Sequence, residues 1–160
     1  MRSYSYAARL GRVSLLLAVV ALLSAASCKH DDLSSSNRQF VTMPNGKQIV
    51  LVGIADDEAE RSRGLSEREQ LAPQEGMWFV FDREGYYPFW MKDMKFSLDI
   101  IWLNDDYQVV DIARYVPPAV GVTTLPQYQN AYPAKYVLEV NAGVSEGLSR
   151  GDKLNLMSGI

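Results

Sequence analysis

From about residue 39 onward the apolar positions fall into short runs and alternations, cut every few residues by clusters of Gly, Pro, Asn and Asp. That spacing is the period of strands rather than helices. Phe40, Val41 and Met43 lead into the turn residues Pro44, Asn45 and Gly46, and QIVLVGIA follows from Gln48 to Ala55, which predicts a hairpin. DDEAERSRG, Asp56 to Gly64, predicts a short helix: Asp56 or Asp57 can cap it, Arg61 and Arg63 suit its C-terminal end, and Gly64 stops it. LSEREQLAPQEG, Leu65 to Gly76, reads as a polar loop. MWFVF, Met77 to Phe81, is a continuous apolar run suited to a strand buried on both faces, and DREG, Asp82 to Gly85, reads as a turn. Asn104 to Asp106 turn the chain into a return strand, Tyr107 to Val116. A long irregular connection, Pro117 to Pro133, precedes a strand over Lys135 to Val140, a helical turn over Val144 to Leu148, and a last strand, LNLM. Roughly seven or eight short strands with one helical insertion predict a mainly β domain, barrel or sandwich in type.

The densest apolar stretch is PFWMKDMKFSLDIIWL, Pro88 to Leu103, which also carries Lys92, Asp93, Lys95 and Asp99. As a regular strand it would point Phe89, Met91 and Asp93 one way and Trp90, Lys92 and Met94 the other, so each face mixes anchors with a charge. Asp99, between Leu98 and Ile100, must be solvated or paired, and Arg61, Arg63 and Lys92 are its candidate partners. Two uses stand side by side. One is a structural ion pair that ties the helix to the sheet. The other is a binding cleft in which Arg63, Lys92, Asp93 and Asp99 surround a floor of Tyr87 and Trp90, few polar groups among aromatics.

The front of the chain carries a different pattern. Residues 1–27 hold Arg2, Arg9 and Arg12, no acid, and then the apolar run Val13 to Leu23, the layout of a signal peptide and too short for a transmembrane helix. The small residues Ser24 to Ser27 lead to the single cysteine, Cys28. A lone cysteine after a small-residue cleavage site resembles the lipobox of bacterial lipoproteins, with Ala25 where leucine is commonest. Residues 28–38 then form a lipid anchor and polar tether, and residues 39–160 a single globular β domain. The expected address is the cell envelope, an outer-membrane lipoprotein facing the periplasm or the cell surface, with the membrane as partner through lipidated Cys28.

Charge and residue inventory narrow the chemistry. Sixteen Lys and Arg stand against nineteen Asp and Glu; removing the three leader arginines leaves thirteen, a formal charge of −6, which disfavours nucleic acid as a partner. His30, the single histidine, lies on the tether. With Cys28 acylated, the domain has neither thiol nor imidazole for nucleophilic triads or zinc sites, and neither cofactor nor metal is expected.

Several blocks in order, RSRGLSERE, EGMWFVFD, FWMKDMKFSLDIIWL, PAKYVLEVNAG and GLSRGDKL, resemble the bacterial and archaeal family known as domain of unknown function 192. The likeness runs from Val50 to Leu156. It implies a compact jelly-roll-like β fold, often exported, and no agreed reaction. Asp93 stands where asparagine is usual and Ser66 where methionine is common. The resulting expectation is a non-catalytic envelope module with a polar small molecule or glycan on the patch of Arg63, Tyr87, Trp90, Lys92, Asp93 and Asp99. Two alternatives remain beside it: a hydrolase using Asp93 and Asp99 as paired carboxylates, and a Cu(I) site built from Met77, Met91 and Met94.

Overall fold

The computed structural model describes residues 38–158. The expected leader, Cys28, His30 and the tether as far as residue 37 lie outside the described residues.

Strands β1 (Gln39–Thr42) and β2 (Gln48–Ala55) form the hairpin the sequence predicts. Gly46, at φ 82°, supplies the left-handed turn residue. Helix α1 (Glu58–Arg63) starts where Asp57 accepts the Glu60 N–H at 2.7 Å and places Arg61 and Arg63 in its last turn. Gly64 ends it at φ 49°, ψ −129°, a conformation that penalises any side chain, while donating its N–H to the Glu60 carbonyl. Strand β3 (Glu75–Gly85) runs straight through DREG, so the turn expected there is absent. What happens instead is a break in its pairing with a later strand between Val80 and Gly85, which leaves Asp82, Arg83 and Glu84 exposed on an overhang. Strands β4 (Leu98–Leu103), β5 (Val109–Val116), β6 (Ala134–Asn141) and β7 (Asn155–Ser158) complete the set.

These strands form one seven-stranded sheet in the order β5-β4-β6-β3-β2-β1-β7. Strand β2 pairs with β3 in parallel through the α1 crossover, and the other pairs are antiparallel. The domain is therefore mainly β with one short helix, but the barrel does not close. Its two edges approach each other at one isolated bridge, Gln108 to Lys153, reinforced by Val109 N–H to the Asp152 carbonyl at 2.8 Å and Leu154 N–H to the Tyr107 carbonyl at 3.0 Å.

Strand alternation sorts the core into two clusters, one on each face. One takes Val41, Ile49, Trp78, Ile101, Val109 and Leu138. The other takes Met77, Phe79, Ile100, Trp102 and Val137, and is covered by Leu65, Phe89, Met91 and Met94 from connecting segments. Gly76 is needed where β3 crosses close to β6, because a Cβ there would lie 2.8 Å from the Glu139 carbonyl oxygen.

The central stretch departs from its expected geometry. Phe89 makes an isolated bridge with Tyr128, but residues 90–97 belong to no strand. Asp93 adopts φ 56° in a turn closed by the Met94 N–H and the Met91 carbonyl. This left-handed step resets side-chain direction, so Met91 and Met94, assigned to opposite faces by simple alternation, are both buried in one cluster while Trp90, Lys92 and Asp93 face outward.

Candidate functional site

A groove of about 280 Å³ runs between the C-terminal end of α1, strand β3 and the segment 87–94. Its apolar part is fixed by aromatic contacts. Alternation along β3 turns Phe79 and Phe81 to the same side; Phe89 meets Phe79 edge-on at 5.1 Å and Trp102 edge-on at 5.9 Å. Tyr87 stacks on Phe81 with centroids 3.6 Å apart, and its hydroxyl donates to the Arg83 carbonyl at 2.7 Å. Buried Asn130 clasps this segment from behind, accepting the Tyr87 N–H at 2.8 Å and donating to the Gly85 and Tyr132 carbonyls. The Trp102 indole N–H donates to the Tyr87 carbonyl at 3.3 Å from the sheet side. The wall is thus pre-formed, as binding clefts usually are.

The cations at the rim divide into two kinds. Arg61 donates to the Asp56 and Val80 carbonyls at 2.7 and 2.9 Å and lies over the Phe81 ring, so its guanidinium is committed to the fold. Arg63 and Lys92 line the same groove and are exposed. The salt bridges among the described residues are Lys95 with Glu69 and Lys135 with Asp105, which leaves Arg63 and Lys92 un-neutralised. Trp90, 38% exposed, stands beside them.

The inner wall holds a residue that sequence reasoning missed. Glu139 sits on β6 opposite Met77 of β3 and Ile100 of β4, on the face that carries the cluster beneath the groove. It is 5% exposed. Burial pushes its carboxyl up from 4.5 to about 8, with neither a hydrogen bond nor a nearby cation to offset the desolvation. At neutral pH it is mostly the uncharged acid. The available signal was a single acid flanked by Leu138 and Val140 in the strand KYVLEV.

Of the six residues singled out from sequence, Arg63, Tyr87, Trp90 and Lys92 meet in the groove, whereas Asp93 and Asp99 do not line it. Asp93 is exposed on its turn, where the left-handed conformation explains why asparagine is equally at home. Asp99 is fully buried and pairs with none of the three cations considered for it. Its Oδ1 accepts the Tyr115 N–H at 2.8 Å, and its Oδ2 accepts the Ser145 N–H and Oγ–H at 2.9 and 2.8 Å. Between Leu98 and Ile100 the partner strand β5 carries one extra residue, and Tyr115 sits there at φ 55°. Asp99 therefore satisfies an N–H that a β-bulge has released from the ladder. Paired-carboxylate chemistry between Asp93 and Asp99 has no geometry to support it. Among the described residues no three His, Cys, Asp or Glu side chains gather as a metal site. Met77, Met91 and Met94 pack with Phe89 and Ile100, the surroundings of core methionines.

Two solved structures share this architecture. One is a protein from Sinorhizobium meliloti 1021 described as a "putative transcription regulator", 30% identical, aligned over 74% of this chain and 92% of its own, with a TM-score of 0.63. The other is a protein of unknown function from Novosphingobium aromaticivorans DSM 12444, 31% identical, aligned over 74% of this chain and 83% of its own, with the same TM-score of 0.63. No curated protein matches the chain. The family model DUF192, described as an uncharacterized ACR, matches residues 40–156, from the start of β1 into β7, and the chain belongs to that family.

Proposed function

We propose that this domain is a non-catalytic binding module of the cell envelope, held at a membrane through lipidated Cys28, whose groove takes a small ligand with an apolar body and an anionic group. The observation that carries this reading is the pair of un-neutralised cations, Arg63 and Lys92, at the rim of an aromatic-walled groove. Cations there favour an anion over a neutral glycan, since charge-assisted hydrogen bonds are about twice as strong as neutral ones. The transcription-related description of the S. meliloti protein draws no support from charge, because this chain is acidic, at −3 overall.

The test is a thermal-shift screen of the full chain against small carboxylates, phosphorylated sugars, peptidoglycan fragments and neutral sugars. A ligand at about 100 times its Kd adds roughly 2.7 kcal/mol of stability, several degrees in Tm for a domain of this size. An anionic hit should lose that shift in Trp90→Ala and in Arg63→Ala/Lys92→Ala. All three positions are at least partly exposed, so the unliganded Tm should barely move. A screen whose hits are all neutral, or whose hits ignore both variants, removes the proposal.

A further inference from the structure

We infer that Glu139 is the recognition group at the inner end of the groove, hydrogen-bonding the acyl carbonyl of a ligand whose carboxylate is held by Arg63 and Lys92. The ligand class is an N-acylated apolar amino acid or the C-terminal end of a short peptide. The inference rests on the groove being a ligand site, as proposed above.

The argument starts from the cost of the residue. A polar group buried without a partner loses its hydration for nothing, and a leucine at the same position would fill the space between Met77 and Ile100 without that penalty. Glu139 is 95% buried by its 5% exposure, makes no protein hydrogen bond that offsets its burial, and borders the groove. Among the described residues the side-chain atom both sealed from solvent and without a partner is Trp78 Nε1, so the Glu139 carboxyl is reached from the groove, and a groove occupant, water or ligand, is the partner open to it. As the neutral acid it presents an O–H donor, which an acyl carbonyl can accept; in a trans amide the N–H points the other way, so the pairing is through the carbonyl. A ligand ammonium fits less well, because it would have to expel the Glu139 proton and pass two rim cations to do so.

The surrounding charges leave this role open. From α1 the groove receives Glu58, Arg61 and Arg63, and from the segment after β3 it receives Tyr87 and Lys92. None of them shifts the Glu139 carboxyl. The flanking positions on β3 and β4 are Met77 and Ile100, which do not titrate. Asp99 is one step along β4, engaged with Ser145 and Tyr115.

Calorimetric titration of the full chain with N-acetyl-L-phenylalanine and with 3-phenylpropionate tests the idea. Both probes carry the ring and the carboxylate, but the second lacks the acyl carbonyl. Wild type should prefer the first by about fivefold or more, the worth of one hydrogen bond. Its affinity should fall by roughly tenfold per pH unit above about 8, as the donor is lost and an anion appears. Glu139→Gln, which keeps an N–H donor, should bind at pH 7 without that alkaline fall, and Glu139→Leu should lose the preference between probes. Equal binding of the two probes by wild type, an alkaline fall that persists in Glu139→Gln, or a preference that survives in Glu139→Leu overturns the role of Glu139. If binding is then still abolished by Arg63→Ala/Lys92→Ala, the groove stands as a site and the assignment of Glu139 alone fails. If neither probe binds, the assignment falls, while the wider screen decides the groove.

Discussion

In the unfolded chain the Glu139 carboxyl titrates near 4.5, whereas burial in the folded domain holds it up to about 8, so between those values the folded state keeps a proton that the unfolded state has released. Stability must therefore fall as pH rises through this window, by about 1.4 kcal/mol per unit. The penalty is absent below 4.5, roughly 3 kcal/mol at pH 7, and complete above about 8. Glu139→Gln removes the titration but keeps the shape. Urea unfolding should show the variant equal to wild type near pH 4.5 and more stable by about 4 kcal/mol at pH 8. A difference between the two proteins that does not change with pH means that Glu139 is solvated or paired in solution. Asp99 shows the opposite arrangement under comparable burial: three donors meet its two oxygens, so its charge is accommodated where that of Glu139 is not.

The β4–β5 pair shows how one such side chain holds elements in register. The extra residue in β5 turns Tyr115 into a left-handed conformation, and Asp99 ties its freed N–H to the turn at Ser145. Asp99→Asn replaces one acceptor oxygen with an amide donor facing an N–H or a hydroxyl, and should destabilise the domain by about 2–4 kcal/mol. Because Asp99 turns to the face of β4 opposite Ile100 and does not line the groove, ligand affinity in the folded variant should be unchanged; stability within 0.5 kcal/mol of wild type, roughly the noise of a surface substitution, would count against this account. Local rules made much of the architecture legible: the β1–β2 hairpin came from Asn45-Gly46, the ends of α1 from Asp57 and Gly64, and the core of β3 from its continuous apolar run, Met77 to Phe81. Where Asp93 turns left-handed the period of two was misleading, since a single dihedral reverses every later side chain. The DREG overhang was misread because turn-forming residues also suit an unpaired strand end. Three groove residues, Tyr87, Trp90 and Lys92, were legible as aromatics and a cation close in sequence, and Arg63 as a cation at the end of the predicted helix. Glu139 was not, because its environment is made by β3 and β4, strands that lie far from it along the chain.

For the molecule as a whole, the proposed anchor makes a separate prediction. Labelled palmitate should be incorporated into the full chain and not into Cys28→Ser, which should leave the Tm of the β domain unaltered; incorporation into the variant would dismiss lipidation at this residue. The sheet order carries a further consequence. Strand β6 is the sixth to be made, yet it lies between β4 and β3, so before it docks the earlier strands are two unconnected pieces, β1-β2-β3 and β4-β5, each with an open edge. A nascent chain that has not yet delivered residues 134–141 exposes both edges to mispairing, and their joining requires contacts distant in sequence, which slows folding. Rim and floor of the groove are thus synthesised at different times: Arg63 and Lys92 emerge early, and Glu139 arrives with the strand that joins the two pieces. Any molecule that needs both ends of the groove is retained by chains that have finished folding and passes over those still being built.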